Sequence, residues 1–149
     1  MSGGTELPVT ETTVEHVDVL IVGAGISGIG GACHLKSNHP ERSFLVLDAL
    51  DNFGGTWWTH KYPGVRSDSD LFTFGYKFKA WRKAPIASGD EILHYMSEVI
   101  DEHDLAGHIR YNHKVVGASW SSDERVWTLD VVRAVSNGTA TNKSDRDET

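Results

Sequence analysis

The residues of this chain best suited to chemistry are three glycines and one acid, set at fixed distances from each other. Gly23, Gly25 and Gly28 form a G-x-G-x-x-G motif, and Asp48 lies twenty residues beyond it. Between a strand and a helix, such glycines let the backbone approach a pyrophosphate, and an acid at this distance hydrogen-bonds a ribose. The spacing therefore predicts a site for a dinucleotide.

Each of these positions has its own physical task. Gly23 allows a tight turn, Gly25 has no Cβ to keep the backbone away from a pyrophosphate, and Gly28 lets a helix pack closely on a strand. The helix would direct its free N–H groups and the positive end of its dipole at the phosphates. Asp48 could accept both ribose hydroxyls and would repel a 2′-phosphate, which favours FAD or NAD over NADP.

The elements that must position these residues flank them in the required order. Apolar runs predict strands over Val17–Val22 and Ser43–Asp48, and the segment between them predicts a helix over Ile26–Ser37. Gly30 and Gly31 lie inside this helix, where each is expected to weaken it by about 1 kcal/mol relative to alanine. The order predicts an α/β fold, built on a Rossmann-like βαβ unit with parallel strands and a right-handed crossover.

After this unit the sequence predicts one more helix and a hairpin. Ser88 is a suitable N-cap for a helix that ends near His103 and has apolar residues on one face. Ile109–Trp120 and Arg125–Val135 predict two antiparallel strands, joined by a turn at residues 121–124. We expect this hairpin to form a β-meander insertion apart from the parallel sheet.

Composition argues against several classes of protein. The chain has 149 residues, about the length of one domain, and its net charge of −7 with no basic stripe argues against a nucleic-acid-binding surface. The one cysteine, Cys33, is predicted to be a buried apolar residue and permits no internal disulfide, as is typical of a reducing compartment. The histidines follow no common metal-site spacing, so no metal is expected.

The two ends of the chain are polar. Residues 1–16 have no basic start and no apolar core, so they do not form a secretory signal, and we expect them to be flexible. Residues 136–149 are expected to be a disordered polar tail. Nowhere does an apolar run approach the roughly 18 residues that a transmembrane segment needs, so we expect a cytoplasmic protein.

A block rich in glycine and aromatic residues follows Asp48. It contains GGTWW at residues 54–58 and YPGVRSDSD at residues 62–70. Two glycines beside a hydroxyl and two indoles can form a wall whose backbone amides approach a flat ring or a phosphate. Taken alone, the block favours the simpler interpretation of an aromatic-rich loop folded over its own core.

The motifs together are much more specific than the glycine motif alone. GAGISG, an acid at the end of the second strand, GGTW and YPGVRSDSD resemble the flavin-dependent monooxygenases of the Baeyer–Villiger class, and most closely their ethionamide-activating group. The likeness covers Val17 to about Val132. It implies that FAD is bound, that NADPH reduces it, and that a C4a-peroxyflavin attacks a small-molecule ketone or a soft sulfur.

The resemblance also implies roles for individual residues. Ser27 would join the three glycines in binding the FAD pyrophosphate, and Asp48 would bind the adenosine ribose in place of the longer Glu usual in the family. Val115 matches a strand-end residue whose backbone meets the adenine, and Asp68 matches an acid near the isoalloxazine ring. Three residues would lie along the flavin half of the cofactor: Gly55, Thr56 and Trp57. Two residues match a stretch that faces the nicotinamide cofactor: Arg66 and Ser67.

Other hallmarks of the family have no counterpart in this sequence. The second glycine motif for NADPH, the FxGxxxHxxxW-type signature and the active-site arginine are not found in it. We therefore expect residues 17–135 to be a partial FAD-binding domain, incomplete at its C-terminal end and without the NADPH-binding domain. The alternative is a truncated, catalytically inactive fragment that at most binds a dinucleotide.

Overall fold

A computed structural model describes residues 13–134 of the chain. The first half contains, in chain order, β1 (Val19–Val22), α1 (Ile26–Asn38), β2 (Phe44–Leu47) and two short helices, α2 (Thr56–Thr59) and α3 (Leu71–Phe74). The second half contains helix α4 (Gly89–Glu102), a 3₁₀ turn (Ala106–His108) and strands β3 (Ile109–Arg110), β4 (His113–Ser121) and β5 (Val126–Arg133).

The predicted βαβ unit is present, and the α/β fold class is confirmed. Strands β1 and β2 are parallel neighbours in register, with Val19 opposite Phe44 and Val22 opposite Leu47. Helix α1 begins at Ile26, as expected, and ends one residue later than predicted, at Asn38. Both strands are shorter than predicted. The handedness of the crossover stays a prediction.

The prediction of one strand over Ile109–Trp120 is wrong, because the chain leaves one sheet and enters another within this stretch. Strand β3 pairs in parallel with β2, so the parallel sheet has the order β1–β2–β3. Asn112 then takes a left-handed backbone conformation (φ 58°), and its N–H donates to the Leu50 carbonyl at 2.8 Å. This turn directs the chain into β4. A pattern of strand-forming residues could not reveal that the chain changes sheets at Asn112.

The remainder of the predicted hairpin is confirmed. Strands β4 and β5 pair antiparallel in a separate two-stranded sheet, with Trp120 opposite Trp127. Their shared register shifts once, between Val115 and Gly117, at a β-bulge or similar irregularity. The last residue of the predicted second strand, Val135, lies outside the described residues.

Helix α4 forms much of the core, packed against α1 and α2. It begins with a capping box, in which the Ser88 side chain accepts from the Glu91 N–H and the Glu91 carboxylate accepts from the Ser88 N–H. Ile92, Met96 and Val99 on its inner face are fully buried. Burial of each such side chain contributes about 1.5–3 kcal/mol to stability, so α4 helps to hold α1 in place.

Cys33 is buried in the same core, and burial raises the pKa of its thiol to about 11. Helix α4, the longest, has 14 residues and carries several charges, so within residues 13–134 no helix could cross a bilayer.

The expectations for the chain ends concern mainly residues 1–12 and 135–149, which lie outside the described part. Just inside it, the Glu15 carboxylate accepts two hydrogen bonds from Arg110, at 2.6 and 2.9 Å.

Candidate nucleotide-binding site

The glycine turn connects β1 to α1, and two of its glycines are required by the fold itself. Gly23 has a φ of 103°, a conformation that residues other than glycine rarely adopt. Its N–H donates to the Leu47 carbonyl at 2.7 Å. A Cβ on Gly28 would collide with the Gly23 carbonyl, so the helix could not pack this closely on the strand. Gly25 differs, because the nearest atom to a Cβ there would be the Gly55 Cα, at 3.9 Å. A Cβ at Gly25 would thus make only an ordinary contact, and Gly25 borders an open space that is described below.

The first turn of α1 presents free N–H groups to that space. The first hydrogen bond within the helix runs from the Ile29 N–H to the Gly25 carbonyl, at 3.0 Å. The N–H groups of Ile26, Ser27 and Gly28 precede it and have no partner of this kind. Gly25 has no side chain to cap them, and the first turn carries no acid. Such a helix start attracts an anion, above all a phosphate.

The GGTW segment closes the other side of this space by docking on the glycine turn. The Gly54 N–H donates to the Ala24 carbonyl at 2.9 Å. A Cβ on Gly55 would lie only 3.3 Å from the Gly25 Cα, and Gly55 also has a positive φ of 52°. The two glycine segments thus meet backbone to backbone, and helix α2 begins immediately beyond the contact.

A cleft of about 340 Å³ lies between these segments. It is lined by Val22, Gly23, Gly25, Ile26, Ser27, Gly28, Gly54, Gly55, Thr56 and Trp57. The structure therefore brings together the predicted pyrophosphate residues and the predicted flavin-side residues Gly55, Thr56 and Trp57. These were separated by about thirty residues in the sequence.

Asp48 lies beside the cleft and is almost entirely buried, with 8% of its surface exposed. One carboxylate oxygen, Oδ2, accepts from the Ala24 N–H at 2.6 Å, and Oδ1 accepts from the Leu50 N–H at 2.8 Å. A carboxylate has about four acceptor positions, so two remain for other donors. Asp48 thus holds the glycine turn in place and retains the capacity to bind hydroxyl groups.

Four of the predicted residues lie away from the cleft. Ser67 is buried, and its hydroxyl accepts from the Ala87 N–H at 3.1 Å, which attaches the loop to the segment before α4. Arg66 and Asp68 are exposed on either side of it. Val115 is half-buried in β4, opposite Val131. Their contact with a cofactor stays a prediction.

Two residues near the site were missed by the sequence reasoning. Tyr76 donates its hydroxyl proton to the Ile26 carbonyl, and its ring lies against Gly30 of α1. The signal for this contact was Gly30 itself, because a glycine inside a helix often marks a close approach. Tyr111 lies near Asp48, where burial and then the charge of Asp48 raise the pKa of its phenol. No pattern in the sequence indicates this second contact.

No group of three or more His, Cys, Asp or Glu side chains within residues 13–134 is arranged to hold a metal ion. The site consists of backbone N–H groups, one carboxylate, two hydroxyls and an indole. This is the composition of a site for a phosphate-bearing, flat organic ligand rather than for a bare cation.

Comparison with known families places this arrangement in a class. The family described as NAD(P)-binding Rossmann-like domain matches residues 21–99. This match spans the end of β1, the glycine turn, α1, β2, the GGTW segment and most of α4. The chain belongs to this family of NAD(P)-binding Rossmann-like domains.

More specific relatives are flavin-dependent monooxygenases. The chain is 52% identical over 118 residues to FAD-containing monooxygenase EthA of Mycolicibacterium smegmatis, covering 78% of this chain and 24% of that protein. It is 47% identical to probable FAD-binding monooxygenase AlmA of Acinetobacter baylyi, with the same coverage. Putative FAD-containing monooxygenase MymA of Mycobacterium tuberculosis is 44% identical over 132 residues, 88% of this chain and 27% of that protein.

Solved structures of similar fold agree. An oxidised steroid monooxygenase bound to NADP matches with a TM-score of 0.71 and 30% identity, over 77% of this chain and 23% of that one. A structure of OTEMO in complex with FAD and NADP matches with a TM-score of 0.69 and 28% identity, over 80% of this chain and 23% of that one. The resemblance to Baeyer–Villiger monooxygenases is confirmed. The chain spans about a quarter of the length of the curated relatives it matches.

Proposed function

We propose that this chain is the FAD-binding part of an NADPH-dependent flavin monooxygenase of the Baeyer–Villiger or S-oxygenating type. The observation that carries the proposal is the cleft in which the glycine turn and the GGTW segment meet, beside the carboxylate of Asp48. The relatives that share this stretch of sequence are named as FAD-containing or FAD-binding monooxygenases. The substrate would be a ketone or a soft sulfur compound.

The residues around the cleft suit the parts of FAD. The open space at Gly25 and the free N–H groups of Ile26, Ser27 and Gly28 would take the pyrophosphate. The remaining acceptor positions of Asp48 would take the adenosine ribose hydroxyls. FAD, when bound, would supply hydride acceptance from NADPH and activation of dioxygen.

The flavin half of the cofactor would extend along the other wall of the cleft. Gly55 offers backbone without a side chain, Thr56 a hydroxyl, and Trp57 an indole whose ring packs edge to face with Phe74 at 6.4 Å. An aromatic wall of this kind keeps water from a flat ring and orients it. The chain's own contribution is therefore binding, orientation and shielding.

Calorimetric titration of the chain with ADP and with FAD tests the proposal. Wild type should bind both, and Gly25→Val should bind neither, because its side chain would occupy the space for the pyrophosphate. Gly107→Val is the matched control, since a Cβ at Gly107 meets nothing within 4 Å and the residue lies outside the cleft. Equal affinities in wild type and Gly25→Val would contradict the proposal.

A second candidate function is nucleotide binding without turnover. It is favoured by the position of Arg66 and Ser67, which lie outside the cleft although the family resemblance places them at the nicotinamide cofactor. The absorbance of NADPH, followed with FAD and either a ketone or a thioether, tests the second candidate. Substrate-dependent consumption of NADPH would overturn it, and ADP binding without consumption would agree with it.

We also propose a cytoplasmic location, with FAD and a small-molecule substrate as partners. Support comes from Cys33, which is a free thiol in the core, as is usual in a reducing compartment. Fractionation of cells that express the tagged chain tests this location.

A further inference from the structure

We propose that Tyr76 is a positioning residue for the phosphate-binding turn, acting through the peptide that joins Ile26 to Ser27. The inference rests on the proposed function, because it concerns how the same cleft holds a pyrophosphate. Tyr76 lies fifty residues beyond Ile26 in the sequence and is not among the residues that line the cleft. It therefore acts from behind the turn.

The geometry of a single peptide unit links Tyr76 to the cleft. The Tyr76 hydroxyl donates to the Ile26 carbonyl, and the N–H of the same peptide unit belongs to Ser27, which lines the cleft. A donor at the carbonyl end polarises the peptide and makes its N–H a stronger donor, since hydrogen bonds in a chain reinforce one another. The bond also keeps the plane of the peptide, and thus the Ser27 N–H, in one orientation.

Gly30 makes this contact possible. A Cβ at Gly30 would lie 2.7 Å from Cε1 of the Tyr76 ring, closer than real Cβ contacts allow. With any side chain there, the ring could not lie against α1 and its hydroxyl could not reach Ile26. A glycine that lowers the helix propensity of α1 is therefore needed for the approach of Tyr76.

Tyr76 is itself held from the opposite side. Its backbone N–H donates to the Tyr95 hydroxyl at 2.9 Å, and that hydroxyl donates to the Lys79 carbonyl at 2.6 Å. The Tyr76 ring stacks on Phe78 at 4.8 Å and on Tyr95 at 5.6 Å. Burial raises the pKa of the Tyr76 phenol well above its ordinary value, so the hydroxyl keeps the proton it donates. The donor is thus fixed in place and in protonation state.

Tyr76→Phe removes the hydroxyl and keeps the ring, and the test compares ADP with adenosine. If Tyr76 acts on the Ser27 N–H, the variant should bind ADP about 3- to 10-fold more weakly than wild type, the range expected for one hydrogen bond. Its affinity for adenosine, which lacks phosphate, should be unchanged. A general loss of structure would lower the affinities for ADP and for adenosine together, and that result would overturn the proposal.

Tyr62→Phe is the control. It also removes one phenol, but the Tyr62 side chain is exposed and lies outside the cleft. Only Tyr76→Phe should change the ratio of ADP to adenosine affinity. An equal change of that ratio in both variants would overturn the proposal.

A measurement without ligand separates this inference from the proposed function. Loss of the bond to the Ile26 carbonyl should move the ¹⁵N resonance of the Ser27 amide upfield in Tyr76→Phe, and the resonance should stay in place in Tyr62→Phe. An unchanged Ser27 resonance in Tyr76→Phe overturns the inference even if wild type binds ADP. Failure of wild type to bind ADP overturns the proposed function, and the Ser27 resonance then still decides whether Tyr76 controls the turn.

Discussion

The carboxylate of Asp48 accepts a hydrogen bond of 2.6 Å from the backbone N–H of Ala24, which lies between two glycines of the turn. The end of β2 is thus attached directly to the turn that follows β1. Asp48 therefore has a structural role even without a bound ribose, because its hydrogen bond fixes the position of the glycine turn.

Replacement of Asp48 by alanine should therefore lower stability as well as nucleotide affinity. The N–H groups of Ala24 and Leu50 would lose their acceptors, and a buried donor without a partner costs about 1–3 kcal/mol. Urea unfolding followed by circular dichroism measures this change. Asp68→Ala, at an exposed acid, is the control and should unfold like wild type. An Asp48→Ala variant as stable as wild type would show that the Ala24 contact is unimportant.

The two adjacent glycines of α1 should respond oppositely to alanine. Gly31→Ala should raise the free energy of unfolding by up to about 1 kcal/mol, since its Cβ would make an ordinary contact with Ile21 at 3.9 Å and alanine favours the helix. Gly30→Ala should lower it by about 1–3 kcal/mol, because the new Cβ would overlap the Tyr76 ring. Thermal unfolding of the pair measures both effects. Stabilisation by both substitutions would contradict the close packing of Tyr76.

The start of α4 depends on the capping box at Ser88. Ser88→Ala should lower stability by about 0.5–2 kcal/mol, since the Glu91 N–H would lose its acceptor. Ser69→Ala, at an exposed serine, provides the comparison. Chemical denaturation is the appropriate measurement, and no difference between the two variants would show that the cap contributes nothing. Ligand affinity should not change, because Ser88 lies outside the cleft.

Acid should weaken the attachment between the segment before β1 and the start of β2. Hydrogen bonds from Ser43, and then the charge of Arg42, hold the pKa of the Asp18 carboxyl below its ordinary value. A lowered pKa stabilises the folded state fully above the unfolded value of about 3.9 and loses this contribution as the pH falls through the folded value. In this acid range, the stability of Asp18→Asn should therefore fall less steeply with decreasing pH than that of wild type. An identical pH profile in wild type and variant, measured by thermal unfolding, would contradict this.

Local patterns in the sequence were sufficient for the βαβ unit and for much of the site. Gly23, Gly28 and Asp48 are identified by type and spacing because turn geometry, helix packing and strand ends are short-range properties of the chain. The capping box at Ser88 is readable for the same reason, since all of its contacts lie within four residues. The family resemblance implied that GGTW and the glycine turn contact the same cofactor, and the structure showed that the two segments contact each other.

Only the tertiary structure decided which distant segments meet. Ile109 and Arg110 join the parallel sheet because β2 offers them a free edge, while the following residues turn away at Asn112. Tyr76 reaches Ile26 because α4 and its Tyr95 hold it there, and Ser67 turns inward to Ala87 instead of toward the cleft. Each of these side-chain contacts joins residues 19 or more positions apart. Periodicity and motif spacing describe neighbours along the chain, so contacts of this kind depend on how the packed elements fill space.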